Sequence, residues 1–186
     1  MLEVLKKPKS LTLIVFLLGL IILGKPTYYY MKGICAQLML KRAWEITKRT
    51  GNPTKAWSWA DTLPVAKLTI PSIGLDQIVL DGKTNEAMAF GPAIIDSKTN
   101  LKNIIIAAHR DSFFSNLGKL NEGDIINLEF VEKNIKYRIN NIVITNPEDT
   151  RWMDPDLDGT LTLITCYPFN FIGDAPKRYV VVANTF

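Results

Sequence analysis

The chain has 186 residues, of which 47% are hydrophobic and 22% are charged, and these proportions exclude an intrinsically disordered protein. Residues 1–61 hold ten Lys or Arg against three Asp or Glu, whereas residues 62–186 hold twelve against fifteen, so the net charge of +4 comes from the N-terminal segment alone. A basic N-terminal segment beside a mildly acidic remainder indicates an anionic membrane surface as the partner and argues against nucleic acid.

The N-terminal segment has the pattern of a membrane anchor. Three lysines among the first nine residues precede an apolar run over residues 11–24, and three tyrosines at 28–30 follow it. This order of basic residues, apolar run and aromatic side chains is typical of a membrane-inserted helix. Fourteen helical residues measure about 21 Å, which is short of a ~30 Å hydrocarbon core, but lysine stems and tyrosine rings at the interface can cover the difference.

Two alternatives to a retained anchor remain open for this segment. An apolar run of this length also suits a cleaved signal peptide, although no small-x-small cleavage pattern follows closely. A buried helix of a soluble protein is the other alternative, and the flanking lysines and tyrosines fit it poorly. We therefore expect residues 1–33 to form a cytoplasmic tail and a single-pass anchor in the inner (cytoplasmic) membrane, with the remainder on the periplasmic or extracytoplasmic side.

Residues 34–60 are predicted to form a helical linker. The segment 34–50 contains no Gly or Pro and places Leu40 and Trp44 on one face of a helix. The sequence Gly-Asn-Pro at 51–53 is a strong signal for the end of that helix.

Residues 61–186 are predicted to form one globular domain made of strands. Short runs of strand-forming residues are bounded by turn residues, and long helical periodicity disappears. The predicted strands cover residues 65–70, 75–80, 103–107, 125–131, 135–145, 161–165 and 179–183, with one helical turn at 85–90. Strands of this number and length indicate an all-β barrel or sandwich.

Three chemically scarce groups lie at predicted strand ends. Cys166 ends the strand before Pro168, because proline cannot donate to a sheet ladder. His109, the only histidine, follows a short apolar strand, and Arg178 opens the last strand. A cysteine nucleophile needs a nearby base or a lowered thiol pKa, and a fixed guanidinium can stabilise an oxyanion. If these strand ends share one end of the domain, the three groups form a thiol-based catalytic site.

Simpler interpretations of the same residues remain open. Cys166 could be a small core residue or a disulfide partner of Cys35. His109 could be structural, and Arg178 could pair with a loop carboxylate. Arg110 is a rival to Arg178 for the oxyanion role, but strand alternation predicts that it faces away from the cleft if His109 faces into it.

No metal or cofactor is predicted. One histidine and two cysteines, without Cys-x-x-Cys or His-x-x-x-His spacing, supply too few ligands for zinc. The acidic loop over residues 146–159 lacks the spacing of an EF-hand, so it is predicted to be a solvated loop and not a calcium site.

The residues around the three groups resemble those of the sortase family. The run T-L-I-T-C at 162–166 matches the sortase signature T-L-x-T-C, and Arg178 follows twelve residues after the cysteine. The run A-A-H-R-D at 107–111 is similar to the histidine segment of several sortase classes. Four segments resemble the proteobacterial branch of this family, which is found in Gram-negative marine bacteria: residues 59–61, 64–68, 89–92 and 166–169.

This resemblance implies a closed eight-stranded β-barrel with short helices and the activity of a cysteine transpeptidase. Cys166 would attack the backbone carbonyl of a C-terminal Leu-Pro-x-Thr-Gly-like sorting signal and carry the substrate protein as a thioester. His109 would move protons at the leaving and incoming amines, and Arg178 would hold the oxyanion. Thr165 would help to shape the substrate and oxyanion site. The resemblance implies no cofactor and does not identify the acceptor amine.

Two other functions use the same features. A different cysteine peptidase, or an L,D-transpeptidase-like peptidoglycan enzyme, would use the same thiol and histidine. The latter family needs a Ser-x-Gly-Cys segment, whereas residues 163–166 are Leu-Ile-Thr-Cys. A non-catalytic, membrane-tethered β-barrel that binds a partner protein is the alternative from a different class.

Overall fold

The computed structural model describes residues 9–82, 86–95, 102–154 and 157–186. Contacts divide the chain into two compact units, Met1–Ala36 and Gln37–Phe186. One helix, α1 (Lys9–Thr50), contributes residues to both units. The sequence-based domain boundaries after residues 33 and 60 stay predictions.

The described part of the first unit is helical and carries an apolar surface. Ten large apolar side chains between residues 11 and 23 are 49–70% exposed. The helix continues through residue 33, where the sequence predicts the change from anchor to linker. Within the described residues, no helix combines the length and the apolarity that crossing a membrane requires.

Helix α1 ends where the sequence predicts. Its last residue is Thr50, and Gly51 follows with a φ of 71°, a left-handed conformation that glycine adopts without steric cost. The Gly51 amide donates to the Thr47 carbonyl at 2.8 Å, and the Thr54 amide donates to the Thr47 hydroxyl at 2.9 Å. These two bonds close the last turn and hold the start of the connection to the first strand.

The second unit contains a closed barrel, which confirms the predicted fold class. In the described residues its eight strands are β1 (Pro64–Ile70), β2 (Leu75–Asp81), β3 (Ala93–Ile94), β4 (Asn103–Ala107), β5 (Ile125–Glu129), β6 (Asn134–Thr145), β7 (Thr160–Tyr167) and β8 (Lys177–Thr185). Their order around the barrel is β1-β2-β3-β4-β7-β8-β6-β5. The pairs β2–β3 and β4–β7 are parallel, and the other pairs are antiparallel. Short 3₁₀ helices occupy Pro71–Ile73, Ala87–Ala89, Leu117–Lys119 and Arg151–Met153.

Side-chain alternation gives β7 an inner and an outer face. Leu161 and Leu163 are fully buried members of the barrel core. Since successive side chains of a strand point to opposite faces, Thr162, Ile164 and Cys166 lie on the outer face. The Cys166 thiol is therefore outside the barrel core and near the end of its strand.

Residues 37–50 of α1 pack against the barrel. Leu40 and Trp44 of this segment are at most 1% exposed. They form a second apolar cluster, separate from the barrel core, with Ile78, Leu80, Ala87 and Ala93. Truncating a buried aromatic side chain typically costs about 3–5 kcal/mol, so this part of α1 contributes to the stability of the barrel unit.

Candidate active site

The pairing of β7 with β8 brings Cys166 and Arg178 together. The two strands are antiparallel, and Cys166 lies directly opposite Arg178 in their register. Directly opposite residues face the same side of a sheet, and their Cβ atoms are about 4.5–5.5 Å apart. Both side chains are half-buried. The predicted placement of these two residues at one end of the domain is confirmed.

The pairing of β4 with β7 brings the His109 segment to the same end. These strands are parallel, with Ala107 paired to Ile164, so the chain leaves both strands in the same direction. His109 and Cys166 each follow two residues beyond that pair. The Ala108 amide donates to the Ile164 carbonyl at 3.3 Å and extends the alignment past the end of β4. His109 is exposed at this end of the barrel.

Thr165 fixes the backbone next to His109. The Thr165 side chain is buried, and its hydroxyl donates to the Ala108 carbonyl at 2.7 Å. This bond ties the strand that carries Cys166 to the residue that precedes His109. The role predicted for Thr165 in shaping the substrate and oxyanion site stays a prediction.

Two depressions in the surface meet at these residues. A polar cleft of about 340 Å³ is lined by His109, Arg110, Asp111, Cys166, Gly173, Asp174, Ala175 and Arg178. A largely apolar groove of about 300 Å³ is lined by Met88, Ile95, Ala107, Ala108, His109, Thr145, Pro147, Asp149, Trp152, Met153, Ile164, Thr165, Cys166, Arg178 and Val180. Cys166, His109 and Arg178, the predicted triad, line both depressions.

The Arg178 guanidinium is anchored through its Nη1 atom. Its Nη1 atom donates to the Ala175 carbonyl at 3.2 Å and to the Lys177 carbonyl at 3.0 Å. In the described part of the chain, Nε and Nη2 make no hydrogen bond to protein. A guanidinium anchored through Nη1 therefore keeps donors for a substrate oxygen in the cleft.

Arg110 has a different environment. It is 6% exposed, and its guanidinium donates to the carbonyls of Pro168 at 3.2 Å, Phe171 at 2.5 Å and Gly173 at 3.0 Å. Its Nε atom donates to the Asp111 carboxylate at 3.1 Å. Arg110 thus holds the connection between β7 and β8, and most of its donors are occupied.

The prediction that Arg110 faces away from the cleft is wrong, because Arg110 lines the polar cleft together with His109. Strand β4 ends at Ala107, so the two-residue alternation of a strand does not extend to these positions. The occupied donors of Arg110 nevertheless favour Arg178 as the residue that meets a substrate oxygen.

An ion pair in the wall of the apolar groove involves Asp149. Arg151 donates to the Asp149 carboxylate through Nε at 2.9 Å and Nη2 at 2.8 Å, and the Thr145 hydroxyl donates at 2.5 Å. The hydrogen bonds from Arg151 and Thr145 hold the pKa of Asp149 below its usual range. This carboxylate of the acidic loop is therefore ionised and paired with a guanidinium.

Sequence reasoning missed two buried polar residues beside the groove. Asn103 begins β4, and its Nδ2 atom donates to two carbonyls of the acidic loop. Thr162 lies on β7, on the same outer face as Cys166. The sequence signals were a polar residue at the head of a continuous apolar strand and the first threonine of the T-L-I-T-C run.

The chain is similar in sequence to known proteins of one family. The protein-family model named Sortase domain matches residues 68–186 of the sequence. Sortase D of Bacillus subtilis (strain 168) is 31% identical over 118 residues, which cover 61% of this chain and 60% of that protein. The matched segment thus spans less than two thirds of this relative.

Solved structures of sortases have a similar fold. The catalytic domain of B. anthracis SrtD is 34% identical, with a TM-score of 0.55, and the match covers 66% of this chain and 87% of that one. The Clostridium perfringens Sortase D5 transpeptidase has a TM-score of 0.62 at 24% identity, and the match covers 81% of this chain and 96% of that one. These relatives come from Bacillus and Clostridium, and the predicted placement in the proteobacterial branch stays a prediction. Because the sortase-domain model matches more than half of its residues, the chain belongs to the sortase family.

Proposed function

We propose that this protein is a membrane-anchored cysteine transpeptidase that cleaves a C-terminal Leu-Pro-x-Thr-Gly-like sorting signal and transfers the substrate protein to an amine. One observation carries the proposal: Cys166 is opposite Arg178 and aligned with the His109 segment, where a polar cleft and an apolar groove meet. A thiol, a general acid and base, and an oxyanion donor are the groups that acyl transfer through a thioester requires.

The first half of the reaction forms the thioester. The sorting signal lies in the apolar groove with its scissile carbonyl at Cys166, and the thiolate sulfur attacks the carbonyl carbon. The resulting oxyanion accepts hydrogen bonds from the free donors of Arg178. The C–N bond then breaks as His109 gives a proton to the leaving amine. The N-terminal part of the substrate remains attached to the Cys166 sulfur.

The second half transfers the acyl group to an acceptor. An amine that enters through the polar cleft loses a proton to His109 and attacks the thioester carbonyl. The C–S bond breaks, the new amide leaves, and the Cys166 thiolate is restored. Each step uses only side chains of this chain, and the identity of the acceptor amine is open.

The anchor and the cellular location are part of this proposal. The basic start of the chain, the exposed apolar side chains between residues 11 and 23 and the tyrosines at 28–30 support an inner-membrane anchor with the barrel on the periplasmic side. The four segments that resemble the proteobacterial branch support a Gram-negative source with this arrangement.

Replacing the nucleophile tests the reaction class. We expect Cys166→Ala to abolish joining of a Leu-Pro-x-Thr-Gly peptide to an amine such as hydroxylamine, because no thioester can form. Product is measured by liquid chromatography and mass spectrometry, with Cys35→Ala as the control that retains activity. Joining at the wild-type rate by Cys166→Ala would refute the catalytic assignment, and a wild-type protein that binds the peptide without cleaving it would favour a non-catalytic binding module.

Replacing the guanidinium tests the role of Arg178. We expect Arg178→Lys to lower kcat by about 10²–10³-fold, because an ammonium keeps the charge but lacks the planar set of donors. Steady-state kinetics measure kcat, and Arg138→Lys, an exposed arginine of β6, is the matched control. A kcat near that of the wild type would contradict this role. It would indicate that Arg110 binds the oxyanion or that Arg178 contributes only its positive charge.

Placing charge in the apolar run tests the anchor. We expect the full chain to remain with the membrane after carbonate extraction, and Leu17→Lys with Leu18→Lys to release it, because each lysine at the centre of a membrane helix costs about 2.5–3.5 kcal/mol. Leu38→Lys, on the same helix but outside the apolar run, is the control and should stay membrane-bound. A wild-type chain found wholly in the soluble fraction would contradict the anchor.

A further inference from the structure

The outer face of β7 links the nucleophile to a second polar site. Thr162, Ile164 and Cys166 follow one another on this face, and Thr162 lies about 13 Å from Cys166 at the usual rise of a strand. Cys166 and Ile164 line the apolar groove, whereas Thr162 is fully buried. The groove therefore ends along β7 where the acidic loop covers Thr162.

Asn103 and Thr162 hold that loop together. The Asn103 Nδ2 atom donates to the Trp152 carbonyl at 3.1 Å and to the Asp154 carbonyl at 2.9 Å. The Thr162 hydroxyl lies 3.2 Å from both the Trp152 carbonyl oxygen and the Asn103 Oδ1 atom. Asn103 is only 6% exposed, so water does not substitute readily for these contacts.

The held segment is the wall of the groove. Trp152 and Met153 line the groove that contains Cys166, whereas the neighbouring Arg151 and Asp154 are exposed. The same loop is also held at Asp149, which accepts a hydrogen bond from the Thr145 hydroxyl. Thr145 is paired with Arg178 in the β6–β8 register, so this contact lies nearer to Cys166. Hydrogen bonds to the barrel thus hold the wall at Asp149, beside the catalytic end, and at Trp152, beside the far end.

We propose that Asn103 and Thr162 are positioning residues that set the affinity for the peptide segment preceding the scissile bond. This inference rests on the proposed transpeptidase function. A preformed wall spares the peptide the entropic cost of ordering the loop on binding. Since the pair lies far from the reacting atoms, its loss weakens binding of substrate and transition state alike and leaves the chemical step unchanged.

The test compares two threonines on the same strand and the same face. Thr162→Val removes the hydroxyl with little change in shape, and we expect the KM for a Leu-Pro-x-Thr-Gly peptide to rise about tenfold while kcat stays within about twofold. Thr160→Val is the matched control, because the Thr160 hydroxyl bonds to Asn184 and Asp158 and not to residues that line the groove. Thr162→Ser keeps the hydroxyl and should restore most of the affinity.

Asn103→Asp is an independent variant at the other member of the pair. A carboxylate cannot donate to the carbonyls of Trp152 and Asp154, so we expect a similar rise in KM. Hydrogen exchange of the full, unliganded chain should show faster exchange over residues 149–154 in both Thr162→Val and Asn103→Asp. Exchange over β4 and β7 should match that of the wild type.

Two results would overturn the inference. One is a wild-type KM together with wild-type exchange over residues 149–154 in Thr162→Val. The other is an equal rise in KM in Thr160→Val, which would show that Thr162 only stabilises the strand in general. Failure of this inference can be told apart from failure of the proposed function. If the wild-type chain forms no thioester, the transpeptidase function is refuted. Hydrogen exchange still shows whether Asn103 and Thr162 hold the loop.

Discussion

The candidate site depends on the pairing of three adjacent strands, β4, β7 and β8. The parallel β4–β7 pair directs two strand ends the same way, and the antiparallel β7–β8 pair returns the chain at that end. A shift of one residue in the register of β7 would turn Cys166 into the barrel, because side chains alternate with a period of two. Closure of the barrel fixes this register, since each strand is bonded to a neighbour on both sides.

Buried polar side chains fix the conformation of the loops next to these strands. Arg110 binds three carbonyls of the connection between β7 and β8, and the Asn103–Thr162 pair binds the loop before β7. A buried donor without an acceptor costs about 1–3 kcal/mol, so each group favours one conformation of its loop. One loop borders the polar cleft and the other borders the apolar groove, and both depressions therefore have defined walls around Cys166.

Local patterns predicted the strand ends but not all of their neighbours. The sequence predicts that β7 ends at or just past Cys166, and the strand ends one residue later. Cys166 and Arg178 flank one short connection, so chain order alone predicts their approach. The position of His109 could not be predicted in this way. It depends on the parallel pair β4–β7, whose contacts join distant residues, such as Thr165 and Ala108, which are 57 residues apart. No local pattern in the sequence predicts such a pair. The resemblance to the sortase family is what led us to expect His109 beside Cys166.

The role of Cys166 as the residue that carries the acyl group is tested most directly by intact-mass spectrometry. The full chain, in detergent, is incubated with a Leu-Pro-x-Thr-Gly peptide in the absence of an added amine. We predict a mass increase equal to the peptide fragment that ends at threonine, located at Cys166 by proteolytic mapping and removed by hydroxylamine. Cleavage of the peptide without any adduct on Cys166, or an adduct on another residue, would contradict the thioester mechanism.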